Sequence, residues 1–376
     1  MMYNLDEICL IPSVISEIES RSECSARYQK DSKLPLFVSP MSALIDVKNI
    51  DEFNKHGFNT ILPRTVPFEV RLDFLTKGYW VAVGLKEAEV LYRMFSTSVI
   101  QDGELQYTPH ICIDQANGHM KKLLDICKSL KDLLKNNIQI MTGNIANENV
   151  YKHYAEAGID YIRIGIGSGN VCSTTLLTGI FYPMASLIQN CNNMKQYISY
   201  EYHKERQMLE VEDTPYIKDP IKDKQLKYRS IPKIVADGGF ENISQIIKAL
   251  ALGADYCMLG RIIAGFKEAC GNYYEDEFGV MYRTYYGMST HIAQELIHDA
   301  SSSDGELQIK QPEGVIKPVK IDSDINDWVW SFENSLKSTM SYTNKLHLED
   351  FVNDVISYEI MNPTNIQNKR LDAHVK

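Results

Sequence analysis

Short apolar runs punctuate the chain, and each ends at Gly, Pro, Asn or Asp. They are PLFVSP (35–40), FNTILP (58–63), YWVAVG (79–84), HICID (110–114), IQIMTG (138–143), YIRIGIG (161–167), KIVADGG (233–239) and YCMLG (256–260). Most are followed by a segment with helical spacing, clearest in HMKKLLDICKSLKDLL (119–134). Continuous apolar runs alternating with amphipathic segments predict parallel strands joined by crossover helices. Eight strands in βα order is the number that closes a TIM (β/α)8 barrel, so the predicted fold class is α/β.

An internal echo strengthens this reading. YKHYAEAGIDYIRIGIG (151–167) and IIKALALGADYCMLGR (246–261) share a helix, then Ala-x-Gly-x-Asp-Tyr, then a strand ending at glycine. Ordinary αβ loop chemistry produces Gly-x-Asp as well, so the echo supports the barrel without proving it. Two stretches break the rhythm. Residues 191–230 are highly charged and predict an inserted lobe or lid, and the polar 291–314 stretch predicts a mobile flap. Residues 324–341 read as a helix. The expected organisation is one barrel domain over 1–345 and a C-terminal tail over 346–376, with the last polar residues frayed.

Composition narrows the function classes. Lys and Arg number 39 against 49 Asp and Glu, a net charge of −10, which argues against nucleic acid as a partner. No apolar run is long enough to cross a bilayer, and MMYNLDEICLIP lacks the basic start and apolar core of a secretory signal. The eight cysteines are scattered, with no CxxC pair and no zinc spacing. That usage fits a reducing compartment and an expected cytoplasmic location.

Barrel chemistry sits at the C-terminal ends of strands. Those positions here are Ser39-Pro40-Met41, Asp114 to Gly118, Gly143-Asn144, Gly165 to Cys172, Asp237-Gly238-Gly239 and Gly260-Arg261. Glycine-rich turns expose backbone amides to anions, and the late strands of barrels often bind phosphate, so a nucleoside monophosphate is the expected ligand. In GIGSGNVCSTT (165–175), Cys172 follows three alternating glycines and precedes hydroxyls, which suits a thiolate nucleophile with a proton donor beside it. No helix start is evident directly after Cys172; Pro183 is the first clear one. Each residue also has a plainer reading: Asp237 as a turn cap, Thr174 as a loop hydroxyl, Glu313 as a solvated carboxylate, Tyr285 as packing and Arg261 as a surface ion pair. None of the nine histidines shows ligand or triad spacing, so none is assigned a role.

GIGSGNVCSTT, VADGGF, ADYCMLG and TYYGMST, in that order, resemble the IMP dehydrogenase / GMP reductase family of TIM barrels. The similarity runs from LDEICLIPS to EGVIKPV, about residues 1–345. It implies Cys172 as the nucleophile toward C2 of a purine, with Thr174 and Glu313 assisting proton transfer. It also implies Asp237 on the ribose hydroxyls, and Gly238, Gly239, Gly260 and Tyr285 around the phosphate. Met288 would meet the base, with Ser39, Met41, Asn144, Gly169, Asn170, Arg261 and Gly287 completing the substrate wall. Asp114, Asn117, Gly118, Arg163 and Gly165 fall on the dinucleotide side. Carbonyls of Gly167, Gly169 and Cys172 match a monovalent-cation site, K+, in some relatives. The resemblance further implies NADPH as cofactor and a homotetramer.

Within the family, CIDQANG, Thr178-Gly179 with Tyr182-Pro183, and YYGMS resemble the reductase branch. Dehydrogenases need a flap carrying an Arg-Tyr pair to activate water, and neither residue occurs between Tyr286 and Glu313. The chain also has no room for the usual regulatory domains between 64 and 110. The expected reaction is therefore NADPH-dependent reductive deamination of GMP to IMP. The alternatives are IMP dehydrogenase and a non-catalytic purine-nucleotide-binding protein. Ser42, Asn170, Thr175 and Arg261 depart from the family pattern, and the first three motivate the last alternative.

Overall fold

The computed structural model describes residues 2–102, 104–169, 171–211, 231–300, 311–312 and 314–361. All eight expected strands form one parallel sheet: β1 (Leu36–Val38), β2 (Ile61–Leu62), β3 (Trp80–Val83), β4 (His110–Asp114), β5 (Gln139–Ile145), β6 (Tyr161–Ile164), β7 (Lys233–Asp237) and β8 (Tyr256–Leu259). β1 pairs with β8, and the ring closes between β1 and the start of β2, where the Val38 amide donates to the Asn59 carbonyl at 2.8 Å. The fold is a TIM barrel. Val81–Val83, Ile111–Ile113 and Tyr256–Leu259 are buried throughout, because barrel contents cover one face of each strand and helices the other. In the helix Lys121–Leu134, the stripe Leu123, Cys127, Leu130 and Leu134 faces the sheet. Burying one such Leu contributes about 1.5–3 kcal/mol.

Aromatic rings plug the barrel. Phe37 of β1 meets Trp80, Tyr161 and Tyr256 edge-on, with centroids 5.1–6.2 Å apart. This filling leaves the strands' C-terminal ends as the place for a cavity. Beneath the plug, the Gly-x-Asp echo has a physical meaning. Asp160 accepts the Ile140 amide at 2.7 Å and pairs with Lys131; Asp255 accepts the Ile234 amide at 2.8 Å and pairs with Lys195. Each aspartate clamps the start of a neighbouring strand to a helix lysine. The repeat is a structural device.

Three boundaries differ from expectation. The expected lobe does not begin at 191: helix Met184–Val211 runs through it, with Cys191, Lys195 and Ile198 buried against the barrel. Polar residues dominate its outer face, which disguised the helix; residues 212–230 lie outside the described residues. The expected flap contains helix His291–Ala300, and residues 301–310 lie outside the described set. Nor is 346–361 a tail. Helix Leu348–Asn353 buries Leu348, Phe351 and Val352, and Tyr358–Ile360 pairs antiparallel with Ile8–Leu10. The helix expected over 324–341 spans Ile325–Tyr342, capped by Asp324. An antiparallel sheet of Tyr273–Glu275, Met281–Tyr286 and Ile316–Lys320 was not foreseen. Arg283 ties it to the barrel, donating at 2.7 Å to the carbonyls of Ala264, Phe266 and Ala269.

Candidate active site

A cavity of about 610 Å³ opens at the C-terminal ends of the strands. Its lining brings together most of the expected residues: Ser39 and Met41 from β1, Asp114 from β4, Asn144 from β5, Arg163 and Gly165 from β6, and Asp237 from β7. Gly167, Gly169, Cys172, Thr174, Gly238, Gly239, Gly260, Arg261, Tyr285, Gly287 and Met288 also line it.

The loop after β6 sits directly on the turn after β7. Ser168 Oγ donates to the Asp237 carbonyl at 3.1 Å. Gly239 has φ +81°, and a Cβ there would stand 2.7 Å from the Ser168 carbonyl oxygen. Only glycine allows this approach. Cys172 is anchored by its amide, which donates to the Gly169 carbonyl at 2.9 Å, and by a bridge to Gly314. Its thiol donates to Thr174 Oγ1 at 3.2 Å. The sulfur is half-buried, on the cavity wall that carries the Asp-Gly-Gly turn. Contrary to the sequence reading, a helix does start after it: Thr174–Thr178, ended by Gly179 in the left-handed region. Its five residues and lack of any charged residue hid it.

Beneath the cavity lies a buried charge network. Arg163 donates from Nη1 to Asp114 at 2.5 Å, and from Nε and Nη2 to Asp237 Oδ2 at 3.0 and 2.7 Å. Asn144 Nδ2 donates to the same oxygen at 2.8 Å and to the Gly165 carbonyl at 2.9 Å. Burial opposes the Arg163 charge, but Asp237 and Asp114 outweigh it and hold the guanidinium well above its ordinary range. Three donors thus converge on Oδ2 of Asp237, while its Oδ1 makes no hydrogen bond to a described residue. Burial pushes the Tyr285 hydroxyl well up; it lies against Gly260 and points to the Met41 sulfur at 3.7 Å.

A family model for the IMP dehydrogenase / GMP reductase domain matches residues 100–202 and 221–369. The chain belongs to the IMP dehydrogenase / GMP reductase family. The GMP reductase of Bacillus subtilis is 26% identical over 354 residues, covering 91% of each chain. That of Shewanella halifaxensis is 25% identical, covering 89% of this chain and 88% of its own. An inosine-5'-monophosphate dehydrogenase from Cryptosporidium parvum is 28% identical, over 64% of this chain and 52% of its own.

Against the family pattern, two expected dinucleotide residues do not line the cavity. Gly118 is buried, its amide donating to the Asn144 carbonyl at 2.8 Å, and Asn117 accepts the His119 amide. Gly118 supports the end of β5 instead, and Asn117 closes a local turn. Glu313 and Asn170 lie outside the described residues. The carbonyls of Gly167 and Gly169 already accept the Thr175 hydroxyl and the Cys172 amide, so the loop is held by protein donors at the expected cation position. Ser42, in place of the family's carboxylate, meets the Tyr286 hydroxyl at 3.0 Å. Arg64, Gln294, Ile297 and His298 line the cavity without having been singled out. Arg64 stands one residue beyond a predicted strand end; Gln294, Ile297 and His298 share one face of a helix, a spacing that was available to read.

Proposed function

We propose that this chain is a GMP reductase, converting GMP to IMP and ammonia at the expense of NADPH. The observation that carries this reading is the thiol of Cys172, 3.2 Å from the Thr174 hydroxyl and in one cavity with the Asp237-Gly238-Gly239 turn. The turn amides receive the substrate phosphate, with the Arg261 guanidinium beside them. Oδ1 of Asp237 accepts the ribose hydroxyls while Arg163 and Asn144 hold Oδ2. Ring placement follows, with C2 of the purine at the sulfur.

The Cys172 thiolate adds to C2, forming the C–S bond. Thr174, with Glu313, delivers a proton to the amine, and the C–N bond breaks to release ammonia and leave a thioimidate. C2 then accepts a hydride, the C–S bond breaks, and the thiolate departs from IMP. Capture on sulfur replaces one difficult substitution with two easier steps. When bound, the reduced nicotinamide supplies the hydride. The cavity suits such a group: Asp114 Oδ1 is taken by Arg163, and its other oxygen makes no hydrogen bond to a described residue, leaving an acceptor for a second ribose diol. Dehydrogenation is disfavoured because no Arg or Tyr occurs between Tyr286 and Glu313, and the helix over this stretch presents Gln294, Ile297 and His298 to the cavity.

The test is loss of NADPH absorbance with GMP, dGMP and IMP, in both directions and with both cofactors. Cys172→Ala is expected to lower GMP-dependent oxidation by at least about a thousandfold. Full turnover by that variant would overturn the mechanism, and IMP-dependent NAD reduction would favour the dehydrogenase.

A further inference from the structure

The loop that carries Cys172 closes on itself through Thr175, a position that departs from the family pattern. Thr175 Oγ1 donates to the Gly167 carbonyl at 3.2 Å. The approach is close: Gly167 has φ +76°, and a Cβ there would collide with that hydroxyl oxygen. The Thr175 carbonyl in turn accepts the Gly179 amide at 3.0 Å, so the residue is clamped by side chain and backbone together. Thr175 lies outside the cavity wall, but its neighbour Thr174 is on it and meets the Cys172 thiol at 3.2 Å. Seating Thr175 therefore seats the proton donor against the nucleophile.

The family resemblance puts a monovalent cation among the carbonyls of Gly167, Gly169 and Cys172. Such an ion is held where several carbonyl dipoles turn to one point and replace its hydration shell. Here the Gly167 carbonyl is met by the Thr175 hydroxyl, and the Gly169 carbonyl by the Cys172 amide at 2.9 Å. A donor hydrogen and a cation are both positive and compete for the same lone pairs. Two of the three oxygens thus face donors that belong to the chain and never dissociate. The residues present do not fit the cation. We propose that the Thr175 hydroxyl takes the place of the ion, bracing the Cys172 loop so that the chemistry of this chain is independent of K+. Thr175 is a positioning residue acting through Thr174 and Cys172, and its effect on turnover rests on the reductase reading above.

The test uses the full chain, dialysed free of K+ and Na+ into tetramethylammonium chloride and then titrated with KCl at constant chloride. Three quantities are read: labelling of Cys172 by iodoacetamide, resolved from the other cysteines by peptide mass spectrometry; the thermal midpoint; and GMP-dependent NADPH oxidation. In the wild type all three are expected to ignore K+, the two rates staying within about twofold, less than one hydrogen bond is worth. Thr175→Val keeps the shape and removes the donor. Its kcat is expected to fall by about 2- to 10-fold, with a change of similar size in Cys172 labelling, while KM for GMP holds. Thr175→Ser, which restores the hydroxyl, is expected to return both. K+ that moves the wild-type midpoint, or alters kcat or labelling by more than about twofold, overturns the proposal. So does Thr175→Val with wild-type kcat and labelling. Equal loss in Thr175→Val and Thr175→Ser, or a rise in KM for GMP alongside the fall in kcat, makes Thr175 a packing element and overturns it as well. A wild type without GMP-dependent turnover fails the reductase reading instead, while labelling and midpoint still decide whether K+ acts on the loop.

Discussion

Arg163→Met removes the guanidinium that joins Asp114 to Asp237 beneath the cavity. In the wild type its side chain is 9% exposed, and its carboxylate partners Asp114 and Asp237 are 15% and 12% exposed. Methionine fills much of the volume but supplies none of the three donors. Breaking a buried ion pair by deleting one partner costs about 3–5 kcal/mol, and here two carboxylates are left behind. Urea unfolding followed by tryptophan fluorescence should show a loss in that range. Oδ2 of Asp237 would keep only Asn144 of its three donors, so KM for GMP should rise with the stability loss. Arg163→Lys, with one compact ammonium, spans one carboxylate and should recover only part of either property. The sign of the pH dependence is also determined. Because Asp237 and Asp114 outweigh burial and raise the guanidinium above its unfolded value, its contribution is fully present below that value. It is lost only as pH rises through the raised native value, far into the alkaline range. The guanidinium therefore keeps its charge between pH 6 and 10. A stability loss under about 1 kcal/mol with unchanged KM would refute the bridging role.

Two further changes test the scaffold. Burial raises the Asp255 carboxyl, but Lys195 and Lys233, with the Ile234 amide, outweigh it and hold it below the ordinary carboxylate range. Such a group stabilises the fold above its unfolded pKa of about 4 and loses this as pH falls through the native value. Lys195→Met should cost about 3 kcal/mol at neutral pH and move the acid-unfolding midpoint upward in circular dichroism; an unmoved midpoint contradicts the clamp. Gly239→Ala places a methyl 2.7 Å from a backbone oxygen at positive φ, straining the turn by about 1–3 kcal/mol. KM for GMP should rise roughly tenfold as the turn is displaced, and an unchanged KM would separate that turn from the substrate.

The strand order, the barrel and the glycine turns at the strand ends were legible because they rest on local signals. A strand buried on both faces must be apolar, and a turn pressed against another backbone must be glycine, as at Gly239. The helix Met184–Val211 was obscured by its charged outer face, and Thr174–Thr178 by its shortness. The segment 346–361 reads as a tail because it follows the last expected barrel helix, yet Phe351 and Leu348 are fully buried.

The sequence by itself determined the βα rhythm, the glycine turns and the cysteine that precedes two hydroxyls, since each is written in neighbouring residues. Only tertiary structure decided which charges meet. Asp114, Arg163 and Asp237 are separated by 49 and 74 residues, and Arg64 and Arg71 of one βα unit meet Glu87 of the next. No local pattern encodes such pairs, because ring closure sets them side by side at the strand ends, where burial then makes each partner indispensable to the other.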